Sequence, residues 1–205
     1  LTTGALLEIT NAKLIQKAQD QNPLTELPGN LSIADFVSGA ALDGDRVRFF
    51  CYFDFDGFKP FNDRYGFRRG DEAIMLFAQL LRRRLGAGDA FVGHIGGDDF
   101  FAGLAGKSID EVRGEVTLLL DEFRREVAEL YAPADRVRGG LEGTDRDGNA
   151  RFYPLMRCSA SILEIPVGTV TAELDHIAGD IAELKSAAKK SSSGLAVRSF
   201  VGCEP

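Results

Sequence analysis

A chain of 205 residues with 44% hydrophobic and 27% charged side chains fits one globular domain with a core and one extra helix attached. A net charge of -7 argues against nonspecific nucleic-acid binding, though not against a nucleotide substrate, because a local site holding metal reverses the field. No run is apolar enough for a membrane span, no signal peptide is evident, and no internal repeat is seen.

Positions 1–20 carry Leu6, Leu7, Ile9, Leu14, Ile15 and Ala18 at helical spacing, which predicts an amphipathic helix that Asn22-Pro23 ends. The domain proper is placed at 22–205, with 1–21 as a linker helix. The first residue is Leu1 rather than Met, so a piece of a longer protein is expected. A short helix is predicted over 31–38, starting near Asn30, and a Gly/Asp loop over 41–45. The aromatic run 47–53 reads as a buried strand. A turn follows at 54–59, then a short helix over 58–64 whose N-terminal amides, beginning at Phe58, face phosphate.

Gly70-Asp71 is expected to precede a longer helix, with Ala73, Ile74, Leu76, Phe77, Leu80 and Leu81 inward and Arg82-Arg83-Arg84 on a solvated face. Apolar runs at 90–92 and 100–104 flank a hairpin tip. Ser108 and Glu111 form a capping-box start for a helix reaching about 130. Residues 131–149 read as polar, turning at 145–148. Residues 150–165 read as strand, with the end of the preceding loop as a candidate hairpin partner, 170–189 as helix, 191–194 as a turn and 195–197 as a final strand. This alternation, with antiparallel elements, predicts an α/β class, an α+β sandwich around one central, mainly antiparallel sheet flanked by helices. Cys51 and Cys158 lie in apolar runs and read as buried thiols of a reducing cytoplasm; Cys203 leaves the count odd, and no spacing suggests zinc.

Two stretches carry chemistry. The first is His94-Ile95-Gly96-Gly97-Asp98-Asp99-Phe100-Phe101, a glycine-rich tip bearing adjacent carboxylates that repel unless a cation or donors sit between them. The second is the strand end Asp54-Phe55-Asp56-Gly57-Phe58-Lys59. Strand ends are where α/β sheets place ligand sites, and two acidic clusters there suit a shared divalent ion such as Mg²⁺. Turn capping by the same acids is the plainer alternative. A lone histidine at a strand position, His94, reads as structural, and His176 carries no functional argument.

The run from Asp54 to Gly66, then Gly70-Asp71, then Gly96-Gly97-Asp98-Asp99-Phe100 resembles the GGDEF family of diguanylate cyclases, and 22–30 resembles the segment that opens that domain. The resemblance covers roughly residues 22–197. It implies a ferredoxin-like core of the polymerase-palm and nucleotidyl-cyclase type. It also implies a bacterial second-messenger activity that condenses two GTP into cyclic di-GMP and pyrophosphate, with Mg²⁺ or Mn²⁺ and with two domains meeting as a homodimer. A catalytically degenerate domain that binds GTP and regulates an attached domain is the alternative. Upstream sensory or adjacent phosphodiesterase domains are implied as partners, the 1–20 helix then serving as a signalling linker.

Residue by residue, the resemblance implies Asp54, the Phe55 carbonyl and Asp98 as metal ligands, with Asp98 and Asp99 at the reaction centre. Asp99 stands where the family usually has Glu, one methylene longer. Asn62 and Asp71 match the guanine-reading pair; an amide and a carboxylate together meet an edge adenine does not offer. Lys59 is placed to reach phosphate. Of the lysines on the last helix, Lys189 is favoured for phosphate over Lys185, with a solvated face open for both. The family's inhibitory Arg-x-x-Asp is missing, since Ala87 and Ala90 stand at those positions, so no feedback site of the usual kind is expected.

Overall fold

The computed structural model describes residues 20–42, 45–144, 148–169 and 177–200. The expected helix over 1–19, the centre of the turn at 145–147 and the stretch 170–176 lie outside the described residues, as does Cys203. In chain order the elements are α1 (Asn30–Leu42), β1 (Arg48–Asp56), α2 (Phe58–Tyr65), α3 (Phe67–Leu85), β2 (Phe91–Gly96), β3 (Asp99–Ala105) and α4 (Ile109–Val127). A short 3₁₀ turn (Ala128–Leu130) leads to α5 (Pro133–Arg138), β4 (Gly140–Thr144), β5 (Ala150–Pro154), β6 (Arg157–Ile165), α6 (Ile177–Lys190) and β7 (Leu195–Ser199).

The main sheet runs β2-β3-β1-β6-β7, antiparallel except for the β6–β7 edge, and β4 and β5 form a separate two-stranded ribbon. Strand β1 lies in the middle, which explains its aromatic sequence: both faces are covered, so both parities are apolar. Phe49, Cys51, Phe53 and Phe55 enter the core beneath α3 and α4, together with Phe77, Phe100 and Phe123. Phe50 and Tyr52 face the other side with Phe101, under α1 and α6 through Ile33, Phe36, Ile181 and Leu184. Gly103 makes that second layer possible, since a Cβ there would fall 2.0 Å from the Phe36 ring. Burial pushes the Cys51 thiol up to about 12 and the Cys158 thiol well above its ordinary value, so both stay protonated.

The structure corrects three local expectations. Helix α3 starts at Phe67, so Gly70 and Asp71 lie inside it rather than before it. The stretch 131–149 is not simply a polar loop, because α5 and β4 occupy it. Residues 150–165 split into two strands in different sheets, with the break at Leu155-Met156, where the Met156 N–H donates to the buried Tyr131 hydroxyl at 2.8 Å. The arginine run is exposed as expected but not without partners. Arg82 donates to the Thr25 carbonyl (2.9 Å), while Arg83 and Arg84 both pair with Glu122 of α4 and tie the two helices together. The Ser108 capping box forms as read.

Phe77 sits between the rings of Phe53, Phe55, Phe100 and Phe123, all with centroids 4.8–5.5 Å away. Phe77→Ala is expected to lower the unfolding free energy by about 3–5 kcal/mol, read from urea denaturation.

Candidate active site

The side of β1 that carries Phe50 and Tyr52 continues as Asp54 and Asp56 where the strand leaves the cover of the helices. Strand β3 begins with Asp99 directly opposite Asp54 in the ladder. Like charges facing each other across a ladder are destabilising. Helix α6 compensates. The Lys185 ammonium lies 2.6 Å from Asp99 Oδ1 and 3.3 Å from Asp54 Oδ2, and the Lys189 ammonium lies 2.6 Å from Asp54 Oδ1. Four residues apart, the two lysines share one helix face. Burial alone would lower the Lys185 pKa, but the hydrogen bond and charge of Asp99, followed by the charge of Asp54, outweigh it and hold the ammonium above the usual lysine range.

Asp98 occupies the hairpin tip one residue before β3. Burial first, then the charges of Asp54 and Asp99, raise its carboxyl pKa, with Lys189 opposing. Asp98 is thus within electrostatic reach of both other acids, although the direct cross-strand neighbour of Asp54 is Asp99. Phe55 points its ring into the core, stacked on Phe123 at 4.6 Å, so only its backbone is available to a ligand.

Arg157 was missed by sequence reasoning. It opens β6 opposite Asp56, and its guanidinium reaches the Asp56 carboxylate at 2.9 Å. The same group donates to the carbonyls of Lys189, Ser191 and Ser192 at 3.0–3.3 Å, closing the C-terminal end of α6. Ser159 adds a hydroxyl to Asp56. The helix carrying both lysines is therefore docked on the strand carrying the acids. Only the register reveals this; an arginine amid apolar residues at 157 gave no local signal.

A second group forms at the α2–α3 corner. Asn62 packs its amide against Gly70, where a Cβ would lie 2.0 Å from Asn62 Oδ1. That oxygen is buried and makes no hydrogen bond. Asp71 follows Gly70 and is exposed, so Asn62 and Asp71 share one corner. Lys59 is not brought to the acids; it pairs with Asp63 at 2.6 Å, with both side chains largely exposed. The Phe58 ring lies edge-on to Phe55 at 5.7 Å, leaving its backbone amide at the start of α2.

Carboxylate oxygens are the donor type that a hard divalent cation takes. Three carboxylates gather at one strand end, and ammonium cations already sit on two of them. A raised Asp98 marks a place where added positive charge is favourable. No cluster of three or more metal-ligating side chains is assembled among the described residues.

Residues 19–134, more than half of the chain, match the family described as diguanylate cyclase, GGDEF domain. The chain belongs to the GGDEF family. The matched span holds both acidic clusters, Asn62 and Asp71, and stops before Arg157 and α6. Among curated relatives, the bifunctional diguanylate cyclase/cyclic di-GMP phosphodiesterase MucR of Pseudomonas aeruginosa is 37% identical over 93 residues, covering 44% of this chain and 13% of MucR. Diguanylate cyclase TpbB of the same organism is 34% identical over 155 residues, covering 73% of this chain and 33% of TpbB. The chain thus spans a third or less of these relatives' length. The coiled coil and GGDEF domain of DgcB from Caulobacter crescentus, solved in complex with c-di-GMP, superposes with a TM-score of 0.65 at 19% identity, covering 96% of this chain and 95% of that one. This likeness shows the fold. No helix among the described residues is long and apolar enough to cross a membrane.

Asp98 carries a raised folded pKa, so its ionised form costs stability at neutral pH, and that cost fades as pH falls through the folded value toward the ordinary carboxylate range. In chelator, Asp98→Asn is therefore expected to melt at a higher temperature than wild type near pH 7, with the gap closing below about pH 4, followed by circular dichroism.

Proposed function

We propose that this GGDEF domain is a diguanylate cyclase, in which the 3′-hydroxyl of each of two GTP molecules attacks the α-phosphorus of the other and pyrophosphate leaves. The observation that carries this reading is the convergence of Asp54, Asp98 and Asp99 at one strand end beneath two lysines, in a family named for that activity. Asp54, Asp98 and the Phe55 carbonyl would hold Mg²⁺ or Mn²⁺. When bound, the ion lowers the pKa of the attacking hydroxyl and offsets charge on the phosphates.

The chain's own residues do the rest. Asn62 offers an amide whose oxygen lacks a partner, and Asp71 offers a carboxylate; together they meet the donor and acceptor edge of guanine. Lys185 and Lys189, which pair with Asp54 and Asp99, would offer ammonium charge to the triphosphate. Asp99 sits at the reaction centre, and its short side chain is bridged to Asp54 by Lys185. One nucleotide per domain makes two domains, face to face, the reacting unit. In a longer protein, partners would include a sensory segment or, as the name of MucR indicates for that protein, a phosphodiesterase. A cytoplasmic site of action goes with the nucleotide substrate.

The same Lys185 bridge, with Asp in place of Glu at 99, favours a second reading: a domain that binds GTP and regulates an attached partner without turnover. GTP binding by calorimetry with no product would select it.

Incubation with GTP and Mg²⁺ at high protein concentration is expected to yield cyclic di-GMP by chromatography, with a rate rising faster than linearly with protein. Asp54→Asn should lower that rate about 100-fold or more. Asp99→Glu should raise it. No product at any protein concentration rejects the cyclase reading. Separately, Gly70→Ala pushes a methyl onto the Asn62 amide, and GTP affinity by calorimetry should fall about 10-fold or more.

A further inference from the structure

His94 is almost fully buried in β2, at 3% exposure, with its ring flat on Phe100 at 4.2 Å. Its Nε2 lies 3.0 Å from the Gly97 carbonyl at the hairpin tip. A carbonyl only accepts, so Nε2 carries the proton. The Nδ1 of the neutral ring is then an acceptor, and Thr25 Oγ1 at 3.0 Å donates to it. Thr25 Oγ1 in turn accepts the Leu27 N–H at 3.4 Å. Thr25 is itself fixed, its N–H bonded to Asn22 Oδ1 and its carbonyl to Arg82. The Gly97 carbonyl selects the tautomer of the neutral ring, and the Thr25 hydroxyl, turned to donate to Nδ1, fixes its pose. Burial lowers the His94 pKa, which agrees with a neutral ring.

The clamp acts where the backbone is least determined. The β2–β3 register shifts between His94 and Gly96, and Gly96 and Gly97 adopt φ of 147° and 57°, which few side chains tolerate. The Gly97 carbonyl belongs to the peptide whose N–H is that of Asp98. Rotation of that plane turns the Asp98 side chain. A histidine packed for bulk alone would need only the Phe100 contact, not two directed hydrogen bonds to separate segments.

We infer that His94, held in one pose by Thr25, is a positioning residue that sets the direction of Asp98 through the Gly97 carbonyl. The inference rests on the reading of the acid cluster as the reaction centre. Turnover, melting and amide exchange of the 96–99 tip are compared in the full chain with Mg²⁺ and GTP. Thr25→Val keeps the shape and removes the proton given to Nδ1; His94→Leu keeps bulk and removes the donor; His94→Gln returns an N–H toward Gly97. The expected result is a fall in kcat of about 10-fold or more in the Val and Leu variants, with KM within about 2-fold, faster tip exchange in both, and recovery in the Gln variant. Nitrogen NMR shifts of His94 should report the Nε2–H form in wild type, with the Nδ1 shift moved in Thr25→Val as its hydrogen bond is lost.

A wild type without product sinks the cyclase reading alone, and the exchange series and tautomer shifts still decide the clamp. Unchanged tip exchange in Thr25→Val overturns the proposal, as does a loss of kcat that merely follows loss of melting temperature in all three variants. Should His94→Leu fail to fold, Thr25→Val, with its near-isosteric side chain, carries the test.

Discussion

Two carboxylates facing each other across a ladder set the terms for this domain. Asp54 and Asp99 are register partners in the middle of the sheet, and nothing in the strands themselves relieves their repulsion. Relief comes from outside the sheet, from one face of α6, whose Lys185 and Lys189 supply the missing charge. The position of α6 is therefore not only a matter of covering Phe50 and Phe101. Its apolar residues Ile181 and Leu184 bury against the sheet, and its next turn delivers the ammoniums to the strand end. One helix closes the core and neutralises the site.

The rest of the architecture makes that strand end available. Because β1 is central, it must be apolar on both sides for most of its length, and polar residues are tolerated only where the covering helices stop. That boundary falls between Tyr52 and Asp54 on the α1/α6 side, whereas on the α3/α4 side Phe55 remains buried one residue further on. The acids thus emerge on a single face. The hairpin tip beyond β3 is built from glycines in left-handed or extended-positive conformations, which lets Asp98 turn back toward the same spot.

What could be read in advance divides along local and non-local lines. The aromatic strand β1, the Ser108 cap and the amphipathic α3 and α4 are written in short-range patterns; the cap formed as read, and the other elements formed with shifted ends. The nearness of the acids at 54 and 98–99 was legible because both runs sit at glycine-rich ends of apolar strands. Strand β4 was legible only as a hairpin partner at the end of the preceding loop, without bounds: Gly140-Leu141-Glu142-Gly143-Thr144 has no convincing alternation, and it exists by pairing with β5 and tucking Leu141 into the core. The start of α3 was misplaced because Gly70 looked like a helix boundary, when its missing side chain makes room for Asn62. The roles of Lys185, Arg157 and Thr25 depend on partners 86, 101 and 69 positions away, distances over which no sequence window reports.

Arg157 couples places that look independent. With one guanidinium it grips the tail of β1 and the last carbonyls of α6. Together with the ion pairs from Lys185 and Lys189, it ties α6 to the strand that carries the acids at three side chains. β7, which follows α6 after a four-residue turn, therefore starts from the same anchorage that holds the carboxylates.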